Sequence, residues 1–376
     1  MRKPYGFLIF LLNMLAVQII LLVILLIYVK SIISFMVVWR KAPNFDLSNT
    51  SDAEPMSVIV PVHNELDNMN PLLLSMLKQS TDFDDLIFVC DHCTDGTDDN
   101  LRRLTRDYRQ VRVVDNPLPQ GKKQAIRHGV SLARHATIAM IDADCEIQES
   151  WCKALKTFHT ANHPNMLIAP VAMRADDTFM GHLFEIEFLA IQFCTAGAAL
   201  AGYPILCNGA NLSFDKTTYQ QHDCHSEYVS GDDMFLLSEV KKNKGKISFI
   251  KNAGAMVSTV APRTLSEYLR QRTRWLRKST GYTDWQLIAF SVLIFLAHMI
   301  WPAFAILAIW SADCGICAAA AFLLKLIADF ALLLKGRNFW NIRVRFRYAF
   351  VLSVLYPFII LIICTLSLFR SKRKWK

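Results

Sequence analysis

Apolar residues crowd the two ends of this 376-residue chain, and that partition commits it to a membrane-anchored fold with a water-soluble middle. Leu8 to Tyr28 is apolar except for Asn13 and Gln18, long enough to cross a hydrocarbon core of roughly 30 Å as a helix. A cleaved signal peptide, with Arg2 and Lys3 as its basic start, is the competing reading. The length of the apolar run and the lack of a small-x-small site before Lys30 favour a retained anchor. Leu287 to Trp310, Ala318 to Leu334 and Ala349 to Leu368 each read as a further spanning helix. A polar hairpin, Ser311 to Gly315, joins the first two, and a basic loop, Lys335 to Arg347, joins the last two. The chain is 53% hydrophobic, above the ~45–50% of soluble domains, and these segments hold the excess.

Four units are expected: an anchor over 1–41, a soluble α/β domain over 42–260, an amphipathic interface segment over 261–285, and a helical bundle with a basic tail over 286–376. Basic residues near helix ends mark the cytoplasmic side. Lys30, Arg40 and Lys41, then Arg270 to Lys278, then Lys335 to Arg347 fall together if the soluble domain faces the cytoplasm, as in a bacterial inner membrane. The tail Arg370 to Lys376 then falls on the wrong side, unless one C-terminal segment dips into the membrane without crossing. The net charge of +9 is mostly juxtamembrane, which suits anionic lipid and not nucleic acid. Ten cysteines should stay reduced in a cytoplasmic domain. Cys90 and Cys93 form one C-x-x-C among acidic residues, read as structural and not as a metal or redox pair. Lys325 and Asp329 lie one turn apart in a span, a mutually neutralising pair or, less economically, a functional one.

Within the middle, Met56 to Pro61, Asp85 to Cys90, Val111 to Asp115 and Thr137 to Ile141 read as strands. Asn70 to Gln79, Asp98 to Tyr108 and Lys122 to His135 read as helices. Strands alternating with helices imply a mostly parallel sheet covered on both faces, and such sheets bind ligands at the carboxyl ends of their strands. His63-Asn64-Glu65, Asp91 and Asp142 sit at those ends and should share one crevice. Asp142-Ala143-Asp144 places two carboxylates where both reach a hard cation such as Mg²⁺ or Mn²⁺, whose shell substrate phosphates would complete. Ser230-Gly231-Asp232-Asp233 opens a helix. Asp232 is expected as a helix cap, with Asp233 projecting as a general base. Gln271-Arg272-Thr273-Arg274-Trp275 lies in a basic amphipathic stretch suited to headgroups, which by itself has no need of Gln271 or Trp275.

Taken in order, VIVPVHNE (Val58 to Glu65), VCDHCTDGT (Val89 to Thr97), GKKQAIRHG (Gly121 to Gly129), IDADC (Ile141 to Cys145), CNGANLSF (Cys207 to Phe214), GDDMFL (Gly231 to Leu236) and QRTRW (Gln271 to Trp275) resemble the inverting glycosyltransferase family 2. The branch they resemble carries Q-x-x-R-W, as in cellulose, chitin and hyaluronan synthases and ceramide glucosyltransferases. The resemblance implies a GT-A fold, a nucleotide-sugar donor (a UDP-sugar in most of the family), and a lipid or glycan acceptor. It implies that Pro61, His63, Glu65, Asp91, Lys122 and Asp142 surround the nucleotide, with Asp91 accepting from the base and Lys122 near the diphosphate. Asp142 and Asp144 would hold the metal, Gln271, Arg274 and Trp275 the acceptor and diphosphate, and Asp233, with Asp232, the acceptor proton. Two departures stand out: Asp232-Asp233 replaces the family's Glu-Asp, and His63 replaces its commoner Tyr. The few spans favour a lipid or short acceptor over a processive polymer, although homo-oligomers could build a pore. An inactive partner-binding protein is the third reading, opposed by the presence of every acidic motif.

Overall fold

The computed structural model describes residues 5–48, 53–79, 82–221, 231–309 and 311–369. Arg2, Lys3, Ser230, Trp310 and the Arg370–Lys376 tail lie outside them. The chain begins in α1 (Tyr5–Lys41) and enters an α/β unit. This runs β1 (Met56–Val62), α2 (Asn70–Lys78), β2 (Asp85–Cys90), α3 (Thr97–Thr105), β3 (Val111–Asp115), α4 (Lys122–Leu132), β4 (Thr137–Ile141), β5 (Cys145–Ile147) and α5 (Trp151–Asn162). It continues through β6 (Met166–Ile168), β7 (Val171–Arg174), α6 (Phe179–Leu200), β8 (Asn211–Asp215), α7 (Lys216–Gln220), α8 (Asp232–Lys242), β9 (Ile247–Phe249) and β10 (Val257–Val260). Then follow α9 (Leu265–Arg277), α10 (Trp285–Leu307), α11 (Ala312–Trp340) and α12 (Phe346–Leu368).

The main sheet has the order β3-β2-β1-β4-β8-β6-β9, and β5-β10-β7 form a smaller one. β1, β2 and β4 are buried along their whole length, as strands covered on both faces require. β3, β2, β1 and β4 are parallel, whereas β8 runs antiparallel to β4. That reversal shapes the site. Asn211, the first residue of β8, pairs with Ile141, the last of β4, so the turn leading into β8 arrives beside the carboxyl end of β4.

Five helices among the described residues are long and apolar enough to cross a membrane: α1, α6, α10, α11 and α12. α6 was missed in the sequence because it follows no basic flank and lies inside the α/β unit. Some 78% of its most apolar stretch is buried. α1 and α11 extend beyond the expected spans, and Lys335 and Arg337 belong to α11 and not to a loop. The reason is packing. Ile32, Phe35 and Trp39 repeat at helical spacing and are all buried. Trp39 stacks on Trp340 with ring centroids 5.2 Å apart and meets Phe193 of α6 at 5.4 Å. A Cβ on Gly197 of α6 would fall 2.5 Å from Phe35 Cβ, so only glycine allows this close approach. One apolar core thus runs from Leu25 and Trp340 through to Ile59 and Phe214.

Lys325 donates to Asp329, and the Tyr28 hydroxyl donates to the same carboxylate. The intramembrane pair is closed off by a tyrosine from the neighbouring helix.

Candidate active site

The first layer of the crevice is a lock between two turns. Val62 pairs with Cys90, so the residues that leave β1 and β2 start side by side. Asn64 and His92 adopt positive φ, the Asn64 side-chain oxygen accepts from Thr94 N at 2.8 Å, and Thr97 Oγ1 accepts from Glu65 N at 3.1 Å. His63 does not face solvent. It is buried, with Nδ1 2.6 Å from Asp91 O and Nε2 3.3 Å from Gln120 Nε2. Donation to the carbonyl puts the proton on Nδ1 and leaves Nε2 to accept from the amide.

Asp91 departs from expectation. It is fully buried. Its Oδ1 accepts from Asn116 Nδ2 at 2.6 Å and lies 3.1 Å from His92 Nδ1, while Oδ2 accepts from Gly121 N at 2.8 Å. A buried carboxylate must find donors, and the protein supplies them. Asp91 therefore ties β2 to the loop after β3 and to the start of α4. A base could reach Oδ1 only by displacing half-exposed His92. Gly121 caps α4 with φ 152°, a region closed to other residues. Pro61 is buried within β1, one residue before the strand ends.

Above this layer lie the carboxylates. Glu65, Asp142 and Asp144 converge from the ends of β1 and β4. Burial lifts the Glu65 carboxyl, and the charges of Asp144 and Asp142 lift it further. Asp144 reaches solvent at the rim, yet its carboxyl is also raised, first by the protein crowded around it and then by Asp142. Lys122, the first residue of α4, donates to Asp142. Burial pulls its ammonium down, but Asp142 and, at longer range, Asp232 and Asp233 outweigh it and hold the group charged. The expected residues thus meet at one place, with too much negative charge for one lysine.

α8 closes the crevice. Gly231, φ 105°, takes its N-cap position and no side chain caps the helix. The expected cap, Asp232, is instead buried in the first turn. Its Oδ1 has no hydrogen-bond partner and lies 3.6 Å from Lys123 Nζ. Burial lifts its carboxyl to about 6 against the pull of Lys122 and Lys123. Asp233 is half-buried. Its Oδ2 accepts from Gly209 N at 2.9 Å and Oδ1 from Met234 N at 2.9 Å. Gly209 belongs to the turn that the antiparallel β8 brings alongside Asp142, which is how two distant acidic motifs meet.

Three groups near Asp233 escaped the sequence reading. Lys278, whose Cδ would touch a Cβ on Gly231 at 3.0 Å, has its ammonium lowered by burial against the opposing pull of Asp233. Tyr282 is raised by burial and then by Asp233, and Cys207 likewise. Lys278 had been counted with the membrane-anchoring charges. Its one distinguishing signal was its place a single turn beyond Trp275.

The QRTRW segment forms the second half of α9, and this helix is not simply laid on headgroups. Tyr268, Arg272 and Thr273 are buried. Arg272 donates Nε to Glu187 Oε1 at 3.1 Å and Nη2 to Oε2, and the Tyr356 hydroxyl donates to Oε1 at 3.3 Å. Gln271 directs its carbonyl to Arg272 Nη1 at 2.8 Å, so half of this amide is structural. Trp275 is half-buried, with the Arg272 guanidinium 4.3 Å from its ring and Phe188 at 6.5 Å, and Arg274 is exposed. Arg272→Met would strand Glu187 as a buried charge, a loss of about 3–5 kcal/mol. Thermal unfolding in detergent should show a clearly lower midpoint, and an unchanged one would remove the pair from the account.

Among the described residues no three His, Cys, Asp or Glu side chains form a ready-made metal cage. Two carboxylates with excess negative charge nevertheless fit a Mg²⁺- or Mn²⁺-like ion that takes its remaining ligands from phosphate and water.

Comparison with known proteins bears on the fold and the family. Residues 57–209 match the model of glycosyl transferase family 2. Glycosyltransferase AglE of Haloferax volcanii is 27% identical over 104 residues, 27% of this chain and 34% of the relative. The poly-beta-1,6-N-acetyl-D-glucosamine synthase of Staphylococcus epidermidis is 20% identical over 61% of this chain and 55% of its own length. The matches therefore span about a third to a half of these relatives. Among solved structures, mannosyltransferase PcManGT from Pyrobaculum calidifontis, in complex with GDP-Man and Mn²⁺, aligns with TM-score 0.60 and 15% identity over 94% of this chain and 98% of that one. That likeness is one of fold.

Proposed function

We propose that this chain is a glycosyltransferase of family 2 that moves a sugar from a nucleoside diphosphate to a hydroxyl of a lipid or short glycan acceptor at the membrane surface. The observation that carries the reading is the meeting of Asp142, Asp144 and Asp233 in one crevice at the carboxyl ends of the strands, with Lys122 and Lys278 among them. The nucleotide would lie over the Asp91 layer, between Glu65 and the start of α4. Its diphosphate would face Lys122, Lys278 and Arg274, cations suited to the charge that grows on the leaving oxygen. A divalent ion held by Asp142 and Asp144 would add Lewis-acid neutralisation of that charge.

Asp233 accepts the proton of the acceptor hydroxyl as its oxygen attacks the anomeric carbon from the side opposite the diphosphate. The nucleoside diphosphate departs with the electron pair of the broken bond, and one displacement inverts the carbon. An α-linked donor yields a β-linked product. The half-buried Trp275 would offer an aromatic surface to the acceptor. The domain limits of 42–260 and 261–285, and a cytoplasmic face for the α/β unit of this multi-pass protein, belong to the same proposal. The staphylococcal synthase among the relatives motivates a second reading, repeated addition to a growing polymer.

Membranes containing the protein, incubated with labelled UDP- and GDP-sugars, test both. Product soluble in organic solvent supports single addition to lipid, and ladder-forming polymer supports the second reading. EDTA should stop transfer and Mn²⁺ or Mg²⁺ restore it. Undiminished transfer in excess chelator would remove the metal role of Asp142 and Asp144.

A further inference from the structure

α12 has 23 residues, about 34 Å of helix, which is ample for a crossing. Its contacts describe something else. Phe346 and Phe350 meet Phe330 and Phe322 of α11 at 5.3 and 5.8 Å. Tyr356 and Phe358 meet His298 and Trp301 of α10 at 4.8 and 6.3 Å. From Phe346 to Phe350 its partner on α11 steps back from Phe330 to Phe322, so these contacts fix which helices α12 packs on, and its two ends fix where it leads.

Both of its ends return to the α/β unit. Near the start, Tyr348 packs on Phe179 and His182 at 5.5 and 4.8 Å, and Arg174 of β7 donates to Asn341 O at 2.9 Å. Midway, Tyr356 reaches Glu187. At the end, Arg277 Nη2 donates to Leu366 O at 3.1 Å and Phe369 O at 2.6 Å, satisfying carbonyls that a helix terminus leaves orphaned. Arg277 is the last residue of α9 and precedes the start of α10 by eight positions. A fourth crossing would instead end beside Leu307, about 33 Å along α10. α6, α9 and α12 therefore run side by side in one direction, paired in turn through residues 182 and 348, 187 and 356, and 277 and 366.

We propose that α12 is a non-crossing helix embedded in the leaflet next to the α/β unit, so that the C-terminus lies on the same side as that unit. Its inner face packs on α6 and α9. Its outer face, with Leu355, Leu361, Ile362 and Leu366 exposed, takes the acyl chains of that leaflet. A helix apolar on all sides sits below the headgroups and not among them. The tail, with Arg370, Lys372, Arg373, Lys374 and Lys376, then joins the other basic clusters on one side, which removes the conflict with the distribution of positive charge.

Sidedness tests this on the full chain. One epitope is appended after Lys376 and another is inserted between Arg106 and Asp107, in the exposed turn after α3. Protease is added to sealed vesicles of a single orientation. Loss of both epitopes together, or protection of both until detergent is added, is the expected result. Loss of one while the other survives would overturn the proposal and restore a fourth crossing. If the insertion disturbs the fold, an antibody raised against the α/β unit replaces the internal epitope with the same two outcomes. Neither readout depends on catalysis, so the proposal stands or falls apart from the assigned activity.

Discussion

Replacing Asp233 by asparagine is expected to lower turnover about 10²–10⁴-fold, the usual worth of a positioned acid–base group, and to leave donor affinity near the wild-type value. The geometry sharpens this expectation. Asp233 Oδ2 accepts from Gly209 N and Oδ1 from Met234 N, and an asparagine turned one way keeps one of these bonds. Shape and local anchoring therefore largely survive, and the basic site does not. Donor binding must be measured directly, by calorimetry or retention of labelled nucleotide, because a Michaelis constant mixes binding with chemistry. Slow hydrolysis of the donor should persist, since water can lose its proton to solvent. Loss of donor binding would move Asp233 to the nucleotide or metal site. Full turnover would pass the base role to Asp232, whose buried carboxyl ionises near pH 6.

The alternation of strands and helices up to Ile141 was legible because buried parallel strands are short continuous apolar runs, and each here ends at a polar residue. The spacing of Asp142 and Asp144 then needed only the strand end to acquire meaning. Less legible was everything that depends on which neighbour a side chain meets. Asp91 looked like an open acceptor, but Asn116 and Gly121, both more than twenty residues away, fill its oxygens. Asp232 looked like a cap, yet Gly231 can adopt a positive φ and takes that position. Lys278 and Arg272 read as membrane charges, because nothing local records that Asp233 and Glu187 would be waiting for them. α12 is long and apolar enough to cross, and length and apolarity are all that a hydropathy pattern carries. The path proposed for it rests on long-range bonds, chiefly those of Arg277.

Asp144→Asn should act on the ground state. Asp142 is already engaged by Lys122, so the carboxylate that an arriving cation finds least encumbered is Asp144, at the solvent-reaching rim. Its carboxyl is raised first by burial and then by the charge of Asp142, and a divalent ion would relieve the second of these. Even partners one shell removed from a metal cost about 10–100-fold in affinity when lost, so direct loss of Asp144 should weaken metal-dependent donor binding by about 100-fold or more. Lys122→Met gives the contrast. Removing the ammonium frees Asp142, so Mn²⁺ binding without donor, read by electron paramagnetic resonance, should hold or tighten, while donor binding falls for want of a diphosphate counter-charge. Opposite responses of metal binding in the two variants are the expected result. If Asp144→Asn bound Mn²⁺ and donor as the wild type does, the ion would not use Asp144, and Glu65 would be the carboxylate to replace next.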